Sequence, residues 1–163
     1  IRFRDEREMN IFYLDSSPKK CAQYHNDKHV VKMIVETAQL LCGAHWATNS
    51  QAPYLAMNVN HPCGIWVRAN IGNYNWLCKL GRELCMEYTR RYGKFHKTSK
   101  VITWCCDNPP AIPDGKFFEP PLAMPDECKI GTSAILSYRN YYIKEKSSFS
   151  TWKTRRIPSW FKL

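Results

Sequence analysis

Apolar positions along the chain repeat at helical spacing through most of its length. Ser16-Ser17-Pro18 reads as a helix start, a serine cap ahead of a proline in the first turn. Beyond it Val30, Ile34, Ala38 and Leu41 fall on one face, with Val31 and Val35 beside them. That pattern predicts helix to about Leu41, with a break near Asn26-Asp27 and Gly43 as terminator. Residues 48–60 read as a loop, and Pro62 opens a further helical stretch. In it Ile71, Tyr74, Leu77, Leu80, Leu84 and Tyr88 recur at three- and four-residue spacing until Gly93. Lys79, Arg82, Glu83, Glu87, Arg90 and Arg91 occupy the opposite face, which reads as solvated. Short helices are predicted at Val101 to Cys106 and from Thr132 to about Lys146. Ile11 to Leu14 is a short strand or a buried lead-in. Prolines 109, 110, 113, 120, 121 and 125 make the stretch from Asn108 to Pro125 an ordered loop or an extended wrap.

A chain of 163 residues is long enough for one core and short for two. The expectation is mainly α: a single compact helical domain with a long Pro-rich loop and a basic, aromatic C-terminal tail. Met9 looks like a natural start, so residues 1–8 read as an upstream extension or an expression remnant, and 9–163 as the domain.

Charge narrows the function. Lysine and arginine number 24 against 14 acidic residues, a net charge of +10. That excess attracts polyanions, and phosphate backbones are their commonest form. Apolar runs are short and interrupted by charge, and the first ten residues hold no apolar signal segment, so neither membrane spanning nor secretion is expected. Without a secretion signal the eight cysteines read as reduced, small core residues, consistent with a cytoplasmic, intracellular protein, a phage- or virus-encoded one in a host cell included.

Three constellations can carry chemistry. On a continuous helix His25, His29, Lys32 and Glu36, spaced four, three and four, form one polar stripe flanked by Asp27 and Lys28. Imidazole, amine and carboxylate together supply acid–base groups and phosphate contacts. The plain alternative is an ordinary polar face with Lys32–Glu36 pairing. Cys21, His25 and His29 share a spacing that can meet at zinc, but no CxxC and no second pair accompanies them, so no metal and no cofactor is expected. Asn60-His61-Pro62, with Trp66 and Arg68, is a polar cluster at a helix entrance able to bind phosphate, Trp66 reading as core. In the C-terminal part Tyr138, Arg139, Tyr141, Tyr142, Lys144, Lys146, Trp152, Lys153, Arg155, Arg156, Trp160 and Lys162 interleave bases and rings, as a phosphate track beside stacked nucleobases does. The alternative is a tail that packs its tryptophans on the domain and leaves its lysines in water.

The C-terminal run Met124-Pro125-Asp126-Glu127, the helix from Ser133 to Lys146 and the closing Ile157-Pro158-Ser159-Trp160-Phe161-Lys162 carry a resemblance. So do Asn10-Ile11-Phe12-Tyr13-Leu14 and Lys28-His29-Val30-Val31-Lys32 near the start. These resemble the phage pyrimidine-dimer DNA glycosylases, with their Pro-His-Glu element, Ala/Ser/Ile-rich helix, Pro-Thr-Trp-Tyr-Lys tail and Arg-Glu-x-x-Arg helix. The resemblance implies a helical DNA-repair fold. It implies a free N-terminal amine that attacks the sugar C1′, an imine that leads to β-elimination, and a glutamate on the first helix that assists. The target base or its neighbour leaves the stack. Here Met9 precedes Asn10, and the family's glutamate falls on His29. Asp27, Glu36 or His29 then takes the carboxylate's part, and Lys28 or Lys32 is a candidate amine.

The expected function is a DNA glycosylase, with abasic-site lyase activity, acting on damaged or modified pyrimidines in duplex DNA, as a monomer. His25, His29, Lys32 and Glu36 are the expected reacting stripe, with Asp27 and Lys28 in reserve. Asn60, His61, Arg68, Arg139, Lys153, Arg155 and Arg156 are the expected phosphate contacts, and Trp152 or Trp160 stacks near the lesion. The rivals are a non-catalytic nucleic-acid-binding module and a nucleotide- or metal-dependent hydrolase.

Overall fold

A computed structural model describes residues 9–57 and 59–162. Six α-helices appear among them: α1 (Pro18–Tyr24), α2 (Asp27–Trp46), α3 (Pro62–Val67), α4 (Ile71–Tyr92), α5 (Ser99–Asp107) and α6 (Ala134–Glu145), with no strand among the described residues. The expected helical class is what the chain adopts.

Local chemistry sets most boundaries. Ser17 caps α1, its side chain accepting from the Lys20 N–H, with Pro18 first in the helix. Asn26 caps α2 in the same way, accepting from the His29 N–H. The break near Asn26 is therefore a pair of caps, and it divides the expected stripe. His25 belongs to the end of α1 and not to the helix that carries His29. Asn70 caps α4 through the Asn73 N–H, so the stretch from Pro62 to Gly93 is two helices where periodicity suggested one. Gly93 ends α4 at φ 67°, a conformation open to glycine at little cost. Gly43 does not end α2: it is buried within the helix, which runs on to Trp46. A glycine terminates only where the chain turns left-handed, and here neighbouring packing holds the helix together.

Helices α2 and α4 form the centre, with α1 on α4, α5 against both, and α3 on α2. Val30, Ile34, Ala38 and Leu41 are fully buried, as the pattern of the sequence requires. Each larger one contributes about 1.5–3 kcal/mol by leaving water. Met9 and residues 11–14 are buried too, as a lead-in without strand pairing, crossing the core beneath α6.

The Pro-rich segment is an ordered wrap. Ile71 N–H donates to the Pro113 carbonyl (2.8 Å), Asn70 to the Lys116 carbonyl (3.0 Å) and Trp66 to the Phe118 carbonyl (2.9 Å). It passes so close to α4 that a Cβ on Gly72 would sit 2.5 Å from the Phe117 nitrogen. Trp66 is core, as expected.

Two solvated-face expectations fail. Glu87 and Arg91 are buried, at 4% and 3% exposure. Arg91 bonds Glu87, Asp27 and the carbonyls of His25 and Gln23, so the end of α4 is sewn to the α1–α2 junction. The C-terminal tail completes this clasp: Arg155 grips the Glu87 carboxylate at 2.9 and 3.0 Å, and Asp27 accepts from Thr151 Oγ1 (2.6 Å) and Lys153 N–H (2.9 Å).

Candidate active site

A cleft of about 640 Å³ opens where three segments meet. Asn60, His61 and Pro62 at the entrance to α3 form one wall, Leu122 to Pro125 of the wrap a second, and Tyr141 of α6 a third. Tyr138 holds the second wall from beneath, its hydroxyl donating to the Pro121 carbonyl (2.6 Å) and accepting from the Ala123 N–H (3.3 Å). The start of the lead-in reaches the same wall, because Asn10 Nδ2 donates to the Ala123 carbonyl at 2.7 Å. His61 caps α3, its Nδ1 accepting from the Cys63 N–H. Behind it the Cys63 thiol is pushed up to about 12 by burial, with the Glu36 carboxylate adding to the rise. Glu36 is itself buried. Asn10 of the lead-in thus touches the cleft wall, and the buried Glu36 lies near Cys63, behind His61.

Toward the far end of this region lies His29. Its ring stacks on Phe12 (4.2 Å between centroids), and its Nδ1 is 2.6 Å from the Tyr142 hydroxyl. Burial, then His25, Lys146 and Lys32, push its pKa down to about 2. It stays neutral at any physiological pH, which removes it as a proton shuttle near neutrality. Lys28 and Lys32 are exposed on the same helix. Lys28 and Lys146 lie over the Phe149 ring at 4.8 and 5.9 Å, and Lys146 also lies 4.8 Å over Tyr141. Tyr141 thus joins this cationic rim to the cleft.

The other nominated side chains are held elsewhere. His25 is fully buried, its Nδ1 on the Cys21 carbonyl (2.7 Å), and burial lowers its pKa to about 4. Asp27 serves the tail clasp. The Cys21 thiol bonds the Phe12 carbonyl at 3.1 Å, and no cluster of three or more potential metal ligands occurs among the described residues. Arg139 bonds the Leu14 carbonyl (2.9 Å) and Asp15 (3.2 Å) and stacks over Tyr24 and Trp160, tying the lead-in to α6. Trp152 is buried, with Nε1 on the Tyr24 carbonyl, and Trp160 packs among Tyr24, Tyr142 and Phe161. Arg68 bonds the Val59 carbonyl. Lys153 lies over Tyr92, and Arg156 is exposed on the tail.

A family model described as pyrimidine dimer DNA glycosylase matches residues 9–101. The chain belongs to the pyrimidine dimer DNA glycosylase family. It is in general terms a DNA-repair glycosylase with DNA as its substrate. No curated protein and no solved structure matches the chain. The family match spans the lead-in, α1 to α4 and the start of α5, and so takes in the middle of the chain. It stops short of the wrap, α6 and the tail, the part where motifs first suggested the family. Asn10, His29, Lys32, Glu36, Asn60 and His61 all lie inside it. Tyr141, Tyr142, Lys146 and Met124 lie outside it and complete the region. Their alternating rings and bases were visible in sequence, but not which of them face the cleft.

Proposed function

We propose that this glycosylase acts on damaged or modified pyrimidines in duplex DNA at the cleft between His61, Met124 and Tyr141, and that it cleaves the abasic strand through an imine. The carrying observation is that Asn60 and His61 of the family-matched segment line the cleft, while Asn10 bonds its Ala123 wall and the buried Glu36 lies near Cys63 behind His61. An amine attacks C1′ of the deoxyribose, and the C1′–N bond electrons leave with the base. Loss of the amine proton and ring opening give the imine. Removal of a C2′ proton then expels the 3′ phosphate, and water releases the amine. Glu36 is the group we assign to proton handling at C2′.

Two amines are within reach of this scheme. Lys32 stands one helical turn from both His29 and Glu36 and is exposed. The α-amine of a chain begun at Met9 would start beside the wall that Asn10 bonds. Borohydride trapping on duplex carrying an abasic site, with ultraviolet-irradiated duplex in parallel, tests the reading. The full chain, a chain starting at Met9, Lys32→Ala and Glu36→Gln would be compared. A trapped complex with strand cleavage is expected. Loss in Lys32→Ala assigns the side-chain amine, and a gain on starting at Met9 assigns the α-amine. Salt-sensitive binding without trapping, cleavage or base release would leave a binding module and end the enzymatic reading.

A further inference from the structure

His29 has an environment unlike that of any other polar residue of the cleft region. Its ring is clamped on Phe12, and its only polar partner among the described residues, apart from its own backbone, is the Tyr142 hydroxyl. Tyr142 is fully buried, and its hydroxyl meets two groups, the Asn26 N–H (3.4 Å) and His29 Nδ1 (2.6 Å). Proton counting decides how they share. The amide can only donate, so the phenol oxygen accepts from it. The phenol proton then has one available acceptor, Nδ1. The reverse assignment, with Nδ1–H donating, would strand the phenol proton in a dry site, which costs more than a hydrogen bond gains. Nδ1 is therefore the unprotonated nitrogen and Nε2 carries the hydrogen. Nε2 is bonded to no described atom, and 4% of His29 remains exposed.

We infer that Tyr142 is a positioning residue that locks His29 in its Nε2–H tautomer, making His29 a fixed hydrogen-bond donor to a backbone oxygen of the bound DNA. This rests on the DNA-glycosylase reading above. The surroundings suit an anionic acceptor: Lys28 and Lys32 from α2, and Lys146 from the end of α6, are the charged groups around this edge. His25 is the neighbouring titratable ring, 6.5 Å away, and Phe12 and Phe149 close the remaining sides. Adding a proton to His29 would oppose Lys32, Lys146 and burial together, so the donor is neutral and constant. It requires no pH-dependent switching.

Long-range nitrogen–proton NMR of the free full chain tests the lock without DNA. The His29 signals should show the Nε2–H tautomer and stay unchanged from about pH 5 to 8. Tyr142→Phe should give mixed tautomers. An Nδ1–H or cationic ring in the unaltered protein near neutrality would overturn the inference and leave the glycosylase reading intact. On abasic duplex, His29→Gln carries an amide nitrogen where Nε2 sits and should retain binding and cleavage within about threefold. His29→Asn and His29→Ala should lose about tenfold or more, the worth of one hydrogen bond to a charged group. This arm does not depend on Tyr142→Phe folding. Gln behaving as Ala, or a rate that rises and falls with a single group near pH ~6.5, would mean proton transfer and would sink the donor role. A locked tautomer with no DNA binding by any version would instead sink the functional reading, and the assigned acceptor with it.

Discussion

Two sides of the N-terminal part of α2 use similar residues in opposite ways. At the junction with α1, Asp27, Glu87, Arg91 and Arg155 form a closed charge cluster in which each group bonds another and two carbonyls are drawn in as well. On the cleft side Lys28, Lys32 and Lys146 are in no ion pair with a described carboxylate, and two of them rest on aromatic rings. A charge whose partners are all in the protein has little left for a ligand. A charge over a ring keeps its field directed outward. The sequence placed Arg155 among the phosphate contacts, Lys146 in the basic aromatic track and Lys28 and Lys32 on the reacting stripe; of these, the lysines keep a field directed outward and Arg155 does not.

Breaking the clasp should give the largest effect. Burial pushes the Glu87 carboxyl up, but Arg155 and Arg91 outweigh it and hold it below the usual range. Glu87→Ala strips buried Arg91 of one of its two carboxylates, and Arg155 of its partner, and should cost about 3–5 kcal/mol in denaturant unfolding, against almost nothing for Lys28→Ala. Equal losses would erase the distinction between the two regions.

Acid should come next. The folded pKa values of His25 and His29, about 4 and about 2, lie below the unfolded value near ~6.5. Above that value both states are neutral and no stability is lost. As pH falls through it, the unfolded chain takes up protons that the folded chain refuses. Stability should drop by about 1.4 kcal/mol per pH unit for each ring, ending for His25 near its folded value and continuing for His29. Thermal unfolding between about pH 7 and 5 reads this, and a flat profile there would contradict the burial of both rings.

The cationic rim is sharpened by salt. Lys28→Ala, Lys32→Ala and Lys146→Ala should each reduce the slope of log K against log salt on duplex DNA by about 0.9. Arg155→Ala should lower stability and leave that slope alone. The reverse result would move the DNA to the tail.

The smallest effect belongs to the loop wall. Tyr138→Phe removes the bonds to Pro121 and Ala123 and should cost about 1 kcal/mol, measured in unfolding, with a weaker grip on substrate seen as a raised KM.

Much of the fold was readable because caps and periodicity are local. Ser17, Asn26 and Gly93 act through atoms a few residues away, and Val30, Ile34 and Leu41 declare a buried face by spacing alone. The candidate site was legible in part. His29, Lys32 and Glu36 were named from their spacing, and Asn60 and His61 from their position before Pro62. His25 was misgrouped, because a stripe presumes one continuous helix and the Asn26 cap interrupts it. Tyr142 was visible only as one aromatic among several. Its hydroxyl meets His29 across 113 positions of sequence, a distance no local pattern encodes.

By itself the sequence determined the helical class, the main boundaries, the ordered wrap and the polyanion-seeking charge, and its motifs pointed to the family that the chain belongs to. All of these follow from neighbours along the chain or from summed composition. The tertiary structure alone decided which charges are consumed and which stay available. Arg91 and Lys28 have the same sign in sequence, but one is buried against two carboxylates and the other lies over a ring at the surface. Electrostatic work depends on distance and dielectric, and only the folded chain sets those.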